Sequence, residues 1–506
     1  MFHDFSTIRA APPQSMSGIS HFGSMMRAAM QRPTIPFLLA ALTLPMQSPA
    51  ADWPRFRGPN GTGVAETSAL PDSIGPDKHV VWKTALPPGH SSPVISGDHI
   101  FLTAFEGDKL FTLALDRGSG KILWRRESPR DRHEKLDTQN SPSSPTPVAD
   151  GRNVYVFFPD YGLLSYTFDG KERWRTPLGP FDNMYGMGVS PILAGDKVVL
   201  ICDQQHNSFA AAFSQADGKQ AWKTPRPEAL SGHSTPIVYR PPDEAKQGGG
   251  MQIIAPGSFR LDAYDLASGK SVWWVNGLAS EMKSVPVLDG DTIYISGFNT
   301  PFNDPGKHVP IPSFADALAK YDSNHDGALQ QAELPEGPMR AYFPFEDTNR
   351  DGKLDGAEWK SFQAVMAAEN GLLALHAGGA GDVTATALRW KYQNKIPQLP
   401  SALLYRGVIY MINDGGILTT IDPANGQAFK QGRLRGAVDK YYASPVAADG
   451  KIFFVGNSGV VTILKAGPDQ EILSVAELDD ECFATPAIAD GRVYIRTRGM
   501  LYCFGL

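Results

Sequence analysis

Two short stretches of this chain have the residue types and spacing of a cation site. In DSNHDGALQQAE, oxygen-bearing side chains fall at Asp322, Asn324, Asp326, Gln330 and Glu333, and Ala328 offers its backbone carbonyl. In DTNRDGKLDGAE the same places are held by Asp347, Asn349, Asp351, Asp355 and Glu358, with the carbonyl of Lys353. Each set fills positions 1, 3, 5, 7, 9 and 12 of a twelve-residue loop, the pattern by which calcium collects six to eight oxygens, two of them from the final Glu. Gly327 and Gly352 stand at position 6, where the sharp turn calls for a residue without Cβ. The reading is two calcium ions, one per loop. The second loop has four carboxylates against three in the first, so it is predicted to bind more tightly.

The flanking residues predict short helices. Phe314, Leu318 and Tyr321 recur at i, i+4 and i+7 before the first loop. Trp359, Phe362 and Met366 make an apolar stripe after the second. Pro335 and Pro338 cut the middle helices short. Residues 312–367 therefore read as an EF-hand pair. Its few methionines favour a structural clip over a sensor that opens a groove.

The rest of the chain reads as β-structure in repeats. A small residue and a Pro precede a Gly-containing turn and an alternating apolar run, as in SSPVISGDHIFLTA. The Pro slot falls at Pro93, Pro147, Pro191, Pro236, Pro286, Pro445 and Pro486, with Ala402 in the remaining copy. Period-two alternation bounded by Gly, Asp and Asn is the strand signal. Four copies end with Trp124, Trp174, Trp222 or Trp273, each four residues after a Gly; Trp390 and Phe429 hold the slot in two more. Tandem units of four strands, none able to bury both faces alone, predict an all-β, eight-bladed propeller. The eighth copy lacks a last strand, and HVVWKTAL near the N-terminus supplies one, with Trp82 in the Trp slot. Pro-slot spacings run from 41 to 54 residues except one of 116, which holds both calcium loops. The EF-hand pair is thus an insert in blade five, and surface loops tolerate such length at small entropic cost.

Near the start, Arg27 and Arg32 precede an apolar stretch from Ile35 to Met46, then small residues with Ala50 at a cleavage position. This is the pattern of a Sec-type signal peptide, predicting a periplasmic or extracellular protein. The expected organisation is a leader at 1–50, an N-terminal extension at 51–78 and the propeller at 79–506. No other apolar run reaches membrane length. The net charge of -6, without a block of Lys and Arg, argues against a nucleic-acid partner. The mixed-charge run Arg125 to Asp137 reads as a solvated loop, and Cys202, Cys482 and Cys503 as buried small residues rather than a disulfide framework.

The Gly-Lys-x-x-Trp endings, with DWPRFRGPNGTGV, FDNMYGMGVSP and HSTPIV, resemble the pyrroloquinoline-quinone (PQQ)-type β-propeller repeat family. That family includes quinoprotein alcohol dehydrogenases and the BamB assembly lipoprotein. The resemblance implies the fold. For the dehydrogenases it also implies a quinone at the channel mouth, a calcium ion held by Glu, Asn and Asp, an Asp base, a Trp floor and often a pair of adjacent cysteines. This chain has no Cys-Cys pair, and its tryptophans are mostly taken by the repeat slots.

Three residues before each Pro slot, at the entry to the innermost strand, stand His90, Ser144, Gly188, His233, Lys283, Leu399, Tyr442 and Phe483. His90, His233, Lys283 and Tyr442 are the candidates for a channel site, with Asn140, Met184, Tyr185 and Tyr441 nearby. The residues favour a calcium-binding scaffold or binding protein, taking a protein partner or small ligand at the propeller face. The alternative is a PQQ-dependent dehydrogenase with an atypical channel site.

Overall fold

The structure, a computed structural model, describes residues 52–242, 250–299 and 309–506. The predicted signal peptide at 1–50 and its cleavage position lie outside the described residues. Eight sheets follow one another, each built on four antiparallel strands that run in chain order from the inside out, save that the last blade takes its outer strand from near the N-terminus and blade four gains a short parallel edge strand. In blade one the innermost strand, Val94–Ser96, is wholly buried. In the outermost, Ile122–Ser128, only Trp124 and Ser128 are buried. This gradient is what a radial stack imposes, since inner strands touch neighbours on both faces.

The last blade is closed by the N-terminus, as its missing strand predicts. Val80–Ala85 pairs with Met500–Gly505, with Trp82 opposite Cys503. Joining the two ends of the chain in one sheet removes an open edge from the ring. All three cysteines are buried and unpaired.

Two sets of bonds join blade to blade. On the outside, the indole N–H of Trp82, Trp124, Trp174, Trp222 and Trp390 donates to a carbonyl of the following blade, at 2.7 to 3.1 Å. Each of these rings lies on a glycine of that blade; a Cβ at Gly218 would come within 2.5 Å of Trp174. Trp273 departs from the pattern and bonds Gln252 of its own blade (2.9 Å). Beside it, the turn before the outer strand of blade five is replaced by a segment that adds Gly381–Asp382 to the edge of blade four. In blade six the slot is held by Lys430, not Phe429: Lys430 lies in the Trp register and its Nζ donates to the Asp469 carbonyl of blade seven (2.7 Å), while Phe429 is 50% exposed.

On the inside, the hydroxyl of the residue before the Pro slot accepts the N–H of its counterpart in the preceding blade. Ser92, Thr146, Ser190, Thr235, Ser401, Ser444 and Thr485 accept seven such bonds of 2.9 to 3.1 Å. Val285 has no hydroxyl, and there Ser234 Oγ donates instead to the Ser284 carbonyl (2.6 Å).

The extension at 52–78 is a strap across the channel base. Trp53 exchanges two backbone bonds with Ile95 of blade one, and the Pro54 carbonyl accepts from Ala149 of blade two. Arg55 and Asn60 bond blade four, Arg57 the Ala402 carbonyl of blade six, and Gly63 and Ala65 Ala447 of blade seven. Thr67 accepts from Gly491 of blade eight. Between the second and third strands of blade five stand three helices: α1 (Phe314–Tyr321), α2 (Pro338–Glu346) and α3 (Gly356–Ala367). Among the described residues no helix is long and apolar enough to cross a membrane.

Candidate functional site

Every blade sends at least one residue into a cavity of about 360 Å³ on the axis. His90, Ser144, Gly188, His233, Lys283, Leu399, Tyr442 and Phe483 all line it, because the same strand-entry position in eight repeats points at the same place. Asn140 and Tyr185 join them, whereas Met184 and Tyr441 do not. Phe56 of the strap also lines it, so the cavity is a funnel blocked from below. The strap has neither strand nor helix periodicity, and the sequence held no signal for this floor.

The run Arg125 to Asp137 is not simply solvated. Arg130 pairs with the buried Asp160 (2.8 Å), and Glu134 is 8% exposed in its side chain. This anchors the chain as it turns over the mouth, where Asp137, Gln139 and Asn140 face the cavity. Tyr442 then reaches across to donate to Gln139 Oε1 (2.7 Å).

The funnel's walls differ in chemistry. The His90 ring stacks on Phe483 with centroids 3.9 Å apart, and Tyr442 lies against the same phenyl ring at 5.1 Å. Opposite, Lys283 Nζ bonds Glu281 (2.6 Å), and Tyr185 donates to the same carboxylate (3.2 Å). Burial, helped by Arg496 and Arg498, pulls His90 down to about 3. Burial and Lys283 do the same to His233. Both imidazoles are neutral at pH 7, so they offer one donor and one acceptor each. Burial and Glu281 hold the Tyr185 phenol well above its usual range.

The two acidic loops share most of their internal hydrogen bonds. Asp322 accepts from the N–H groups of Asp326 and Gly327, and Asp347 from those of Asp351 and Gly352, at 3.0 to 3.3 Å. Asn324 and Asn349 accept from Asp326 and Asp351. Glu333 gathers the N–H groups of Ser323 and Gln330, and Glu358 those of Thr348 and Asp355. Gly327 and Gly352 have φ of 80° and 82°, the left-handed region where a Cβ is costly. Leu329 and Leu354 form a two-way bridge of 3.1 and 2.8 Å. Gln330 Nε2 donates to Asp326, as does Lys353 Nζ (2.8 Å); Asp355 caps α3. Among the described residues no three His, Cys, Asp or Glu side chains form a ready-made metal cluster. The loop carboxylates lie instead on the loops' own N–H groups.

The second loop leans on the propeller. Arg350 pairs with Asp182 (3.2 Å), and His206 Nε2 donates to the Thr348 carbonyl (3.1 Å). The module's apolar core, built on Trp359 and Phe362, takes in Leu230 and Phe259 of the rim. Glu346, at the end of α2, is 4% exposed. Burial, then Glu281 and Glu358, pushes its carboxyl up to about 8. The same Glu281 holds Lys283, so the second loop and the funnel share an electrostatic neighbour.

No curated protein sequence matches the chain. Solved structures match at the level of fold. BamB from Moraxella catarrhalis is 12% identical with a TM-score of 0.51, over 84% of this chain and 98% of that one. A europium-containing methanol dehydrogenase gives 11% and 0.53, over 91% and 99%. The quinohemoprotein alcohol dehydrogenase from Comamonas testosteroni gives 12% and 0.54, over 90% and 80%. The repeats also match a family profile over residues 73–184, 112–304 and 360–506, passing over most of the helical insert. The chain therefore belongs to the family described as outer membrane protein assembly factor BamB.

Proposed function

We propose that this protein is an exported, calcium-binding propeller that works as a binding or scaffold protein, receiving a small ligand or a segment of a protein partner in its funnel. The observation that carries this reading is the blind funnel itself. Eight blades converge on a cavity with an aromatic wall, two neutral imidazoles and a lysine held in place by Glu281. Such a site recognises by shape and hydrogen bonding. Calcium enters through the two loops, residues 322–333 and 347–358. Their backbone folds the first and last carboxylates inward on N–H groups, and with the Asn and Asp oxygens and the position-7 carbonyls these would supply the shell of an ion. The EF-hand pair is then a clip on the rim of blades three and four. Export to the periplasm or beyond rests on the leader sequence and on the family's outer-membrane description.

The residues present do not fit a quinone with its own metal. Among the described residues the funnel is lined by a single carboxylate, Asp137, where a metal-bound quinone asks for a Glu and Asp set. Trp82, Trp124, Trp174, Trp222 and Trp390 bind neighbouring blades and cannot form a stacking floor. The dehydrogenase alternative therefore finds less support than the scaffold. A PQQ titration of the mature protein in excess calcium, read by calorimetry, tests this. No saturable binding is expected; one quinone per chain would overturn it. A ligand found by screening is expected to lose binding in the His90→Ala, His233→Ala double variant, and unchanged binding would remove the funnel from the account.

A further inference from the structure

A second site lies on the face away from the funnel. The strap satisfies the axis-facing backbone of the residue two beyond the Pro slot in several blades: Ile95, Ala149 and Ala447 by backbone bonds, and Val238 by both side-chain atoms of Asn60. Leu193 holds this place in blade three. Ala194 pairs with Lys197 across a two-residue turn, so the next pair, Leu193 with Val198, is of the kind that turns its N–H and C=O away from the partner strand. No strap bond reaches Leu193 among the described residues. A cleft of about 300 Å³ stands there instead.

Two arginines, Arg55 and Arg240, are among the residues that border this cleft. Arg55 is 5% exposed; its Nη2 donates to the Pro236 carbonyl (2.7 Å), and its Nε has no partner. Arg240 is exposed on the other side, and among the described residues no Asp or Glu lines the cleft. Burial with no anion beside it pulls Arg55 down to about 9. A buried cation of this kind gains from a carboxylate that meets it in a paired, charge-assisted bond. Val148, Val238 and Met251 make the remaining walls apolar.

We propose that this cleft binds the C-terminal carboxylate of an extended peptide, the last peptide unit pairing with the Leu193 backbone and the carboxylate meeting Arg55 and Arg240. The strap already pairs with neighbouring blades in this way, and adding a strand to a free edge is a general mode of peptide capture. The site is separate from the funnel, so its test stands apart from the test of the funnel.

The probe is N-acetyl-L-leucine, which carries one peptide unit, an apolar side chain and a free carboxylate. It is titrated by calorimetry into the full mature protein with calcium present, beside N-acetyl-L-leucinamide and inorganic phosphate. The acid is expected to bind saturably at one site per chain, and the amide not at all. Arg55→Gln is expected to abolish binding. Because Arg55 is buried and its loss bears on folding, the exposed Arg240→Ala is the second arm. It is expected to weaken binding at least about tenfold with its melting temperature unchanged. Equal binding of the amide, wild-type binding by Arg240→Ala, or no saturable binding of the acid would overturn the proposal. So would binding of phosphate alone.

Discussion

The loop at 347–358 and the loop at 322–333 share their backbone and nearly all their internal hydrogen bonds, yet they sit in different surroundings. The second is fixed to blade three through Arg350 and Thr348, and its Glu358 is 7% exposed. It also starts a capped helix, with Asp355 accepting from Ala357 and Glu358. The first has no such anchor to the ring among the described residues. Its Asp326 is engaged by Lys353 from the other loop and by Gln330. Ligand pattern and ligand readiness are therefore different properties. A pre-fixed shell loses less entropy when an ion arrives, and a carboxylate already paired with an ammonium must give that partner up.

Chelation of calcium is expected to have the largest effect. A cation held at a hundred times its dissociation constant contributes about 2.7 kcal/mol to stability. EGTA should therefore lower the melting temperature by several degrees and loosen the module before the ring, which hydrogen exchange over 314–367 would resolve. Next is Glu358→Gln, which removes the carboxylate proposed to hold the ion through both oxygens in the anchored loop. It should cost at least about tenfold in calcium affinity, about 1.4 kcal/mol, and most of the thermal shift. Glu333→Gln should cost less and leave the tighter site intact; equal losses in the two variants would erase the ranking. Lys353→Met works in the other direction. Freed of the lysine, Asp326 should let the first loop bind about threefold more tightly at low salt, with the gain fading as salt screens the charge. The smallest effect belongs to Arg350→Ala, an exposed ion pair worth little by itself. About a twofold loss at the second loop, measured in the same titration, is the expected result.

The ring and the lining of its funnel were legible because repetition multiplies a weak signal. One Pro slot means little; eight in register fix which residues enter the innermost strands, and all eight line the cavity. In the acidic loops the backbone was legible: Gly327 and Gly352 take the left-handed φ expected at position 6, and Leu329 bridges to Leu354. What stayed hidden depends on partners distant in sequence. Phe56 and Arg55 lie in aperiodic chain whose bonds go to six different blades. Trp273 has the slot's spacing, but its receiving turn is replaced in blade five, and an indole without that turn bonds Gln252 instead. Glu346 reads as an ordinary helix-end carboxylate until packing places it near Glu281 and Glu358. Arg125 to Asp137 looked solvated because charge pattern alone does not reveal that Asp160 is buried beneath Arg130.

The most direct test of the central claim is a calorimetric calcium titration of the mature protein beside its Glu358→Gln variant. The expected result is two sites of unequal affinity in the wild type, with the tighter one lost in the variant. An isotherm without calcium binding, or a variant that keeps the tighter site, would contradict the account.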